Sequence, residues 1–283
     1  MAPSYGLVIS LAGARVKESM KESESFIEFA QSLANESRRI IEGHLSGTSG
    51  ALGFESKEDK SPVTIVDQEV ESRLRFLIDQ TYPDHGFLGE ETGPGDLKAR
   101  YVWVVDPVDG TKAYITGLPV FGTLIALCEN GVPILGVMDF PATNERFVAQ
   151  IGRPTLGQGQ VCQTKKPSSD KIMAVSNPEA FNYEENQELK ALRKQMNWAV
   201  YGGSSLVYGR LAQGRLDLAV DCGLDPFDYC ALAVVIKGAG GIMTDWEGQQ
   251  LTIHSGHRVV AAANTEMHRL ALDFLHPGPN GKS

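Results

Sequence analysis

Apolar positions recur at threes and fours over residues 22–45, where Phe26, Phe29, Ala30, Leu33, Ile40 and Ile41 are separated by Glu, Ser and Arg. That spacing predicts an amphipathic helix, which Gly47 and Gly50 end. The polar stretch 50–61 reads as a loop and 62–66 as a short extended piece. Val70, Leu74, Leu77 and Ile78 then repeat the helical spacing until Pro83, Asp84 and Gly86 turn the chain. Residues 87–88, 101–105, 121–128 and 132–140 are β-rich runs parted by Gly and Pro turns such as Asn130-Gly131. They predict a largely antiparallel sheet after two helices.

Gly, Gln, Pro, Lys and Ser dominate 152–169, the composition of a domain boundary or a surface excursion. Beyond it, strand-like pieces at 172–176, 198–201, 216–221 and 259–262 alternate with helical stretches at 184–196, 204–212, 228–237 and 266–274, which predicts an α/β second half. The expected organisation is a flexible N-terminus over 1–20, an N-terminal α+β half over 21–152, a C-terminal α/β half over 153–275, and a flexible Pro- and Gly-rich tail over 276–283.

Composition narrows the function classes. With 42% hydrophobic and 22% charged residues the 283-residue chain can build proper cores, which excludes disorder over most of its length. A net charge of -9 argues against nucleic-acid and anionic-membrane partners, which reward clustered Lys and Arg. The pairs Lys165-Lys166 and Arg38-Arg39 are too small to change that, and His254-x-x-His257 lies in a Ser-Gly loop that suits a surface pair better than zinc. Cys128, Cys162, Cys222 and Cys230 form no C-x-x-C pair and sit in or beside apolar runs, as free thiols do. No run of about 18 apolar residues suggests a membrane span, and 5–13 lacks the basic start of a secretory signal. The expectation is a cytoplasmic protein, with a plastid location as the alternative if the acid-poor N-terminus is a targeting remnant.

Three acidic sites stand beside glycines or at the ends of apolar runs. They are Gly89-Glu90-Glu91, the run Val104-Val105-Asp106-Pro107-Val108-Asp109-Gly110-Thr111, and Leu224-Asp225-Pro226-Phe227-Asp228 ahead of an apolar helix. Two carboxylates leaving one strand repel each other unless a cation joins them, and hard oxygen ligands suit Mg²⁺, Mn²⁺ or Ca²⁺. The same turn offers the Val108 carbonyl to a metal and the N–H groups of Gly110 and Thr111 to a phosphate. Read blandly, D-P-x-D-G is an ordinary turn and Asp228 an N-cap.

In their order, Gly89-Glu90-Glu91, Asp106-Pro107-Val108-Asp109-Gly110-Thr111 and Asp228 followed by Gly238-Ala239-Gly240-Gly241 resemble the inositol monophosphatase family, whose members hydrolyse phosphate monoesters with magnesium. The similarity runs from about Phe26 through Ser61-Pro62-Val63-Thr64-Ile65-Val66-Asp67 to the Gly-Gly pair near 240. It implies an α/β fold of α+β type, the layered αβαβα sandwich of inositol monophosphatases and sugar phosphatases, in a homodimer. It further implies that Glu90, Asp106, Asp109 and Asp228 ligate Mg²⁺ with their side chains and Val108 with its carbonyl, Asp106 bridging two ions. Two or three Mg²⁺ per site are expected, with Mn²⁺ able to substitute. Asp67 and Thr111 match the pair that positions the attacking water, with Glu91 as an acidic support. Gly110, Thr111 and Asp228 border the substrate phosphate, Gly202, Gly203 and Ser204 match a substrate-contacting turn, and Asp221 matches an acid that faces the organic part of the substrate. Metal ions suit the chemistry, because a phosphate dianion repels its nucleophile and has a poor leaving group.

Lys112-Ala113-Tyr114, where inositol enzymes usually have Thr-Asn-Phe, and Asp225-Pro226-Phe227-Asp228-Tyr229, where they commonly have Trp before the aspartate, look most like the histidinol-phosphate phosphatase branch. A cationic substrate would suit Asp221 and Asp225. The alternatives are an inositol monophosphatase, an adenosine 3′,5′-bisphosphate 3′-phosphatase drawing charge from Arg210, Lys237 or Arg258, and a non-enzymatic metal-dependent binding subunit.

Overall fold

The computed structural model of the protein describes residues 5–47, 55–56 and 62–275. Helix α1 (Tyr5–Gly47), the short strands β1 (Glu55–Ser56) and β2 (Pro62–Val63) and helix α2 (Ile65–Thr81) come first. Strands β3 (Gly86–Gly89), β4 (Gly93–Pro94) and β5 (Tyr101–Asp109) follow, then helix α3 (Thr111–Thr116). Next are β6 (Gly122–Glu129), β7 (Val132–Phe140), β8 (Glu145–Gln150), β9 (Leu156–Gly157) and β10 (Gln160–Val161). The remainder runs β11 (Ile172–Val175), α4 (Tyr183–Arg193), β12 (Trp198–Tyr201), α5 (Leu206–Ala212), β13 (Leu218–Asp221), α6 (Pro226–Gly238), β14 (Ile242–Asp245), β15 (Val259–Ala262) and α7 (Thr265–Leu275). One sheet has the order β10-β9-β8-β7-β6-β5-β3-β4, antiparallel throughout except for β3 with β5. A second has the order β12-β11-β13-β15-β14 and is mixed, and β1 pairs with β2 apart from both.

The side-chain period of two divides each strand between two cores. In β5, Trp103 and Val105 join the core under α1 and α2, whereas Val102 and Val104 face the core that holds α5 and α6. In β13, Ala219 faces that same middle core, while Leu218 and Val220 turn to a third core with residues of α4 and α7. Three cores between five layers make the αβαβα sandwich. Because both faces of each sheet are covered, the central strands read as continuous apolar runs. A buried charge ties the outer layer down: Asp139 on β7 has no exposure and accepts Arg38 of α1 at 3.0 and 2.8 Å and Arg146 of β8 at 2.6 Å. Removing one partner of such a pair costs about 3–5 kcal/mol.

Several boundaries move. Helix α1 starts at Tyr5 rather than at residue 22, because Leu7, Val8, Leu11 and Ala12 continue the helical spacing upstream. The extended piece stops at Val63: Thr64 caps α2 through its hydroxyl, so Ile65 and Val66 are helical. The excursion 152–169 adds β9 and β10 to the edge of the first sheet, and β8 and β14, absent from the sequence reading, complete the two sheets. Helix α5 begins at Leu206, two residues after its expected start. Helix α6 ends at Gly238 with Ala239 as its C-cap, and Gly240 follows with φ 91°. The four cysteines are buried and free. The tail 276–283 and most of the loop 50–61 lie outside the described residues. Among the described residues no helix is long and apolar enough to cross a membrane.

Candidate active site

Asp106 falls on the even-numbered face of β5, the face of Val102 and Val104 that α6 covers. Pairing between β5 and β6 then slips between Asp106 and Asp109, and this bulge brings Asp109 round to the same side. Pro107 at the slip has no N–H to lose, and its carbonyl accepts the Thr123 hydroxyl at 2.8 Å. Thr123 is in turn 2.5 Å from the Ser37 hydroxyl of α1, and both are fully buried. Gly110 follows with φ 77°, and a Cβ there would lie 2.4 Å from Ser204 Oγ, so the turn can press against the 202–204 loop only as glycine.

Helix α6 supplies the third aspartate. Sequence places Asp228 at the N-cap, but Pro226 with its fixed φ starts the helix earlier, so Asp225 is the N-cap and Asp228 the third helical residue. The Asp225 N–H donates to Asp228 Oδ2 at 2.6 Å, with the carboxylate at the positive end of the helix.

One carboxylate oxygen each of Asp106, Asp109 and Asp228 lies within 4.8 Å of the others. Burial, first, and then the charges of neighbouring carboxylates, Glu90 for Asp106 and Asp109 and Asp109 for Asp228, push all three carboxyls up from the ordinary range. Asp109 is held to about 6 because its Oδ2 accepts the Ser205 N–H at 2.8 Å and hydroxyl at 2.5 Å. Asp106 Oδ1 is buried without a hydrogen-bond partner. A buried orphan acceptor inside a cluster of like charges calls for a hard divalent cation. The donor set fits Mg²⁺, with Asp106, Asp109 and Asp228 as the close oxygens.

Glu90 stands outside that 4.8 Å group but lines the same cavity and acts on all three carboxylates. Asp67, fully buried, takes the Thr64 N–H and hydroxyl on Oδ2 at 2.8 and 2.5 Å and the Thr111 hydroxyl on Oδ1 at 3.4 Å. The Thr111 hydroxyl also meets the Val108 carbonyl at 3.1 Å. The Glu91 N–H is bound by Glu71, a contact absent from the sequence reading.

A cavity of about 640 Å³ opens above the carboxylates, lined by Gly110, Thr111, Lys112, Tyr201 and the loop Gly202, Gly203 and Ser204 among others. Those three loop residues all have positive φ, at 71°, 145° and 49°. Asp221 borders this cavity but has no exposure. Its Oδ1 accepts the N–H groups of Ser176 and Asn177 at 2.7 and 3.2 Å, and its Oδ2 the Tyr208 hydroxyl at 2.8 Å. Both oxygens thus tie the 176–177 wall of the cavity to β13 and α5. Arg210 is taken by Glu145 at 2.5 and 2.6 Å and Arg258 by Glu247, while Lys237 lines a different cavity. The sequence reading did not single out Ser205, Tyr208, Thr123 or Glu71. For Glu71 a signal existed, since positions 67, 70, 71, 74 and 78 share one helical stripe, which makes two acids conspicuous among Val and Leu.

The Inositol monophosphatase family profile matches residues 22–276. The bifunctional phosphatase IMPL2, chloroplastic, of Arabidopsis thaliana is 37% identical over 90% of this chain and 76% of its own. The histidinol-phosphatase of Mycobacterium tuberculosis is 32% identical over 80% of this chain and 89% of its own. A solved inositol monophosphatase from Zymomonas mobilis superposes with a TM-score of 0.80 at 35% identity, covering 89% of this chain and 98% of that one.

Proposed function

The chain belongs to the inositol monophosphatase family of metal-dependent phosphatases, and from that premise we propose that it uses magnesium to hydrolyse histidinol phosphate to histidinol and phosphate, a step of histidine biosynthesis. The observation that carries the reading is the charge of the cavity. Glu90, Asp109 and Asp228 line it, Lys112 is the one basic side chain among the described lining residues, and Arg210, Arg258 and Lys237 are engaged or placed elsewhere. With the carboxylates matched by metal ions, a lining this poor in basic side chains offers few partners to a second phosphate and better suits an ester whose organic half is cationic. Relatives named histidinol-phosphatase support the same choice.

In this reading Glu90, Asp106, Asp109 and Asp228, with the Val108 carbonyl, hold Mg²⁺, which supplies charge neutralisation for the phosphate oxygens and the leaving oxygen. The N–H groups of Gly110 and Thr111 orient the phosphate. The Thr111 hydroxyl, donating toward Asp67 Oδ1, accepts a hydrogen bond from the attacking water and fixes its line of approach. Tyr201 and the Gly202, Gly203 and Ser204 turn border the imidazole and ammonium, while Asp221 holds the adjoining 176–177 wall. Assembly as a homodimer and a cytoplasmic location belong to the same proposal, the chloroplastic relative supporting a plastid as the alternative.

Acetylating the amine of histidinol phosphate removes the ammonium charge and leaves the phosphate intact. The kcat/KM of the acetylated ester is expected to fall about ten-fold or more. Equal turnover of the two esters would remove the electrostatic basis for this substrate.

A further inference from the structure

Glu71 is a buried carboxylate that the proposed chemistry does not use. It lies on α2 one turn beyond Asp67, has no solvent exposure, and reaches out of its own helix to the turn that follows β3. Its Oε2 accepts the Glu91 N–H at 2.8 Å and its Oε1 the Thr92 N–H at 2.6 Å. Those two amides come directly after Glu90. Directly before Glu90, a Cβ on Gly89 would lie 2.4 Å from the Glu71 carboxyl carbon and 2.5 and 2.6 Å from its two oxygens. One carboxylate therefore grips the turn on the C-terminal side of Glu90 and fills the space left open on its N-terminal side. Arg75 holds the same turn from outside, donating to Thr92 Oγ1 at 2.8 Å.

A carboxylate can accept at both oxygens at once, and such charge-assisted pairs fix geometry as well as adding energy. An amide at position 71 would aim its NH₂ at one of the two N–H donors. We propose that Glu71 is a positioning residue for the metal centre, setting the turn so that the Glu90 carboxylate faces Asp106, Asp109 and Asp228. This rests on reading Glu90 as a metal ligand. An anchor needed only for folding would lower thermal stability and leave the metal affinity of the folded protein unchanged. A positioning role moves the affinity itself.

The test titrates Mn²⁺ calorimetrically into the metal-free full-length protein and into Glu71→Gln, Gly89→Ala, their double variant and Glu90→Gln, and follows phosphate release against Mg²⁺ for each. Glu71→Gln is expected to weaken Mn²⁺ binding about ten-fold and to raise the Mg²⁺ needed for half-maximal rate by a similar factor, with kcat at saturating Mg²⁺ within about three-fold of the parent. Gly89→Ala reproduces the effect by displacing the same carboxylate. The double variant is no worse than the weaker single one, because both break one contact. Unchanged Mn²⁺ affinity in folded Glu71→Gln or Gly89→Ala overturns the proposal, as does failure of both to fold. If Glu90→Gln also binds Mn²⁺ and turns over like the parent, the ligand assignment is what failed, and the proposal falls with its premise.

Discussion

Asp106→Asn is expected to abolish turnover and at the same time to raise the thermal stability of the metal-free protein. Asp106 sits 1% exposed between Asp109 and Asp228 with one oxygen lacking any partner, and Glu90 adds a further negative charge. Asparagine keeps the shape and removes the charge that a divalent cation needs at the centre of the group, so kcat/KM should drop at least about a thousand-fold. Stability moves the other way. Burial and the neighbouring carboxylates raise the folded-state pKa of Asp106 above its unfolded value. Its contribution is therefore complete below the ordinary carboxylate range and is lost as pH rises through the folded value. Asparagine has nothing to ionise. Without metal, the variant should match the parent near pH 4 and gain on it toward neutrality, by on the order of 5 °C in Tm if about 1–3 kcal/mol of unsatisfied burial is relieved. Saturating Mg²⁺ should reverse the order, because only the parent gains binding free energy. Melting curves at pH 4 and 7.5, with Mg²⁺ and with EDTA, check all four corners. A variant that turns over near-normally would contradict the metal assignment.

Asp67→Asn is expected to cost about a hundred-fold in kcat while leaving KM and Mg²⁺ affinity near those of the parent. Donors meet both of its oxygens: the Thr64 N–H and hydroxyl at Oδ2, and the Thr111 hydroxyl at Oδ1. An amide accepts at one end only. If its oxygen faces Thr64, the capping of α2 survives and its NH₂ faces the Thr111 hydroxyl, which must turn away. In the opposite orientation Thr111 is kept and the first turn of α2 loses its box, at a cost of about 1 kcal/mol. The capping interaction has two donors and the shorter distances, so the first orientation wins and the loss appears in turnover. Steady-state kinetics over a Mg²⁺ titration separates the outcomes. An unchanged kcat would remove the Thr111 and Asp67 pair from the proposed chemistry.

The carboxylate site was legible because its residues are spelled locally. Glu90, Asp106, Asp109 and Asp228 each stand in a short motif, and the two-residue period of β5 with the apolar stripe of α6 brings three of them together. The layers were legible for the same reason, since strands buried on both faces read as unbroken apolar runs. What the sequence withheld depends on contacts between distant segments. Asp221 was expected to face a substrate, and only the fold shows Tyr208, Ser176 and Asn177 converging on it. Thr123 reads as one more strand residue until its hydroxyl is seen holding the Pro107 carbonyl. The start of α6 shows a third kind of miss, in which one proline shifted the cap by three residues.

Phosphate release from histidinol phosphate, inositol 1-phosphate and adenosine 3′,5′-bisphosphate, measured in parallel as kcat/KM with Mg²⁺ and with EDTA, tests the central claim most directly. A large preference for histidinol phosphate that EDTA abolishes and Mg²⁺ restores is expected. Preference for either other ester would contradict the substrate assignment, and no turnover of any ester with Mg²⁺ would contradict the phosphatase reading itself.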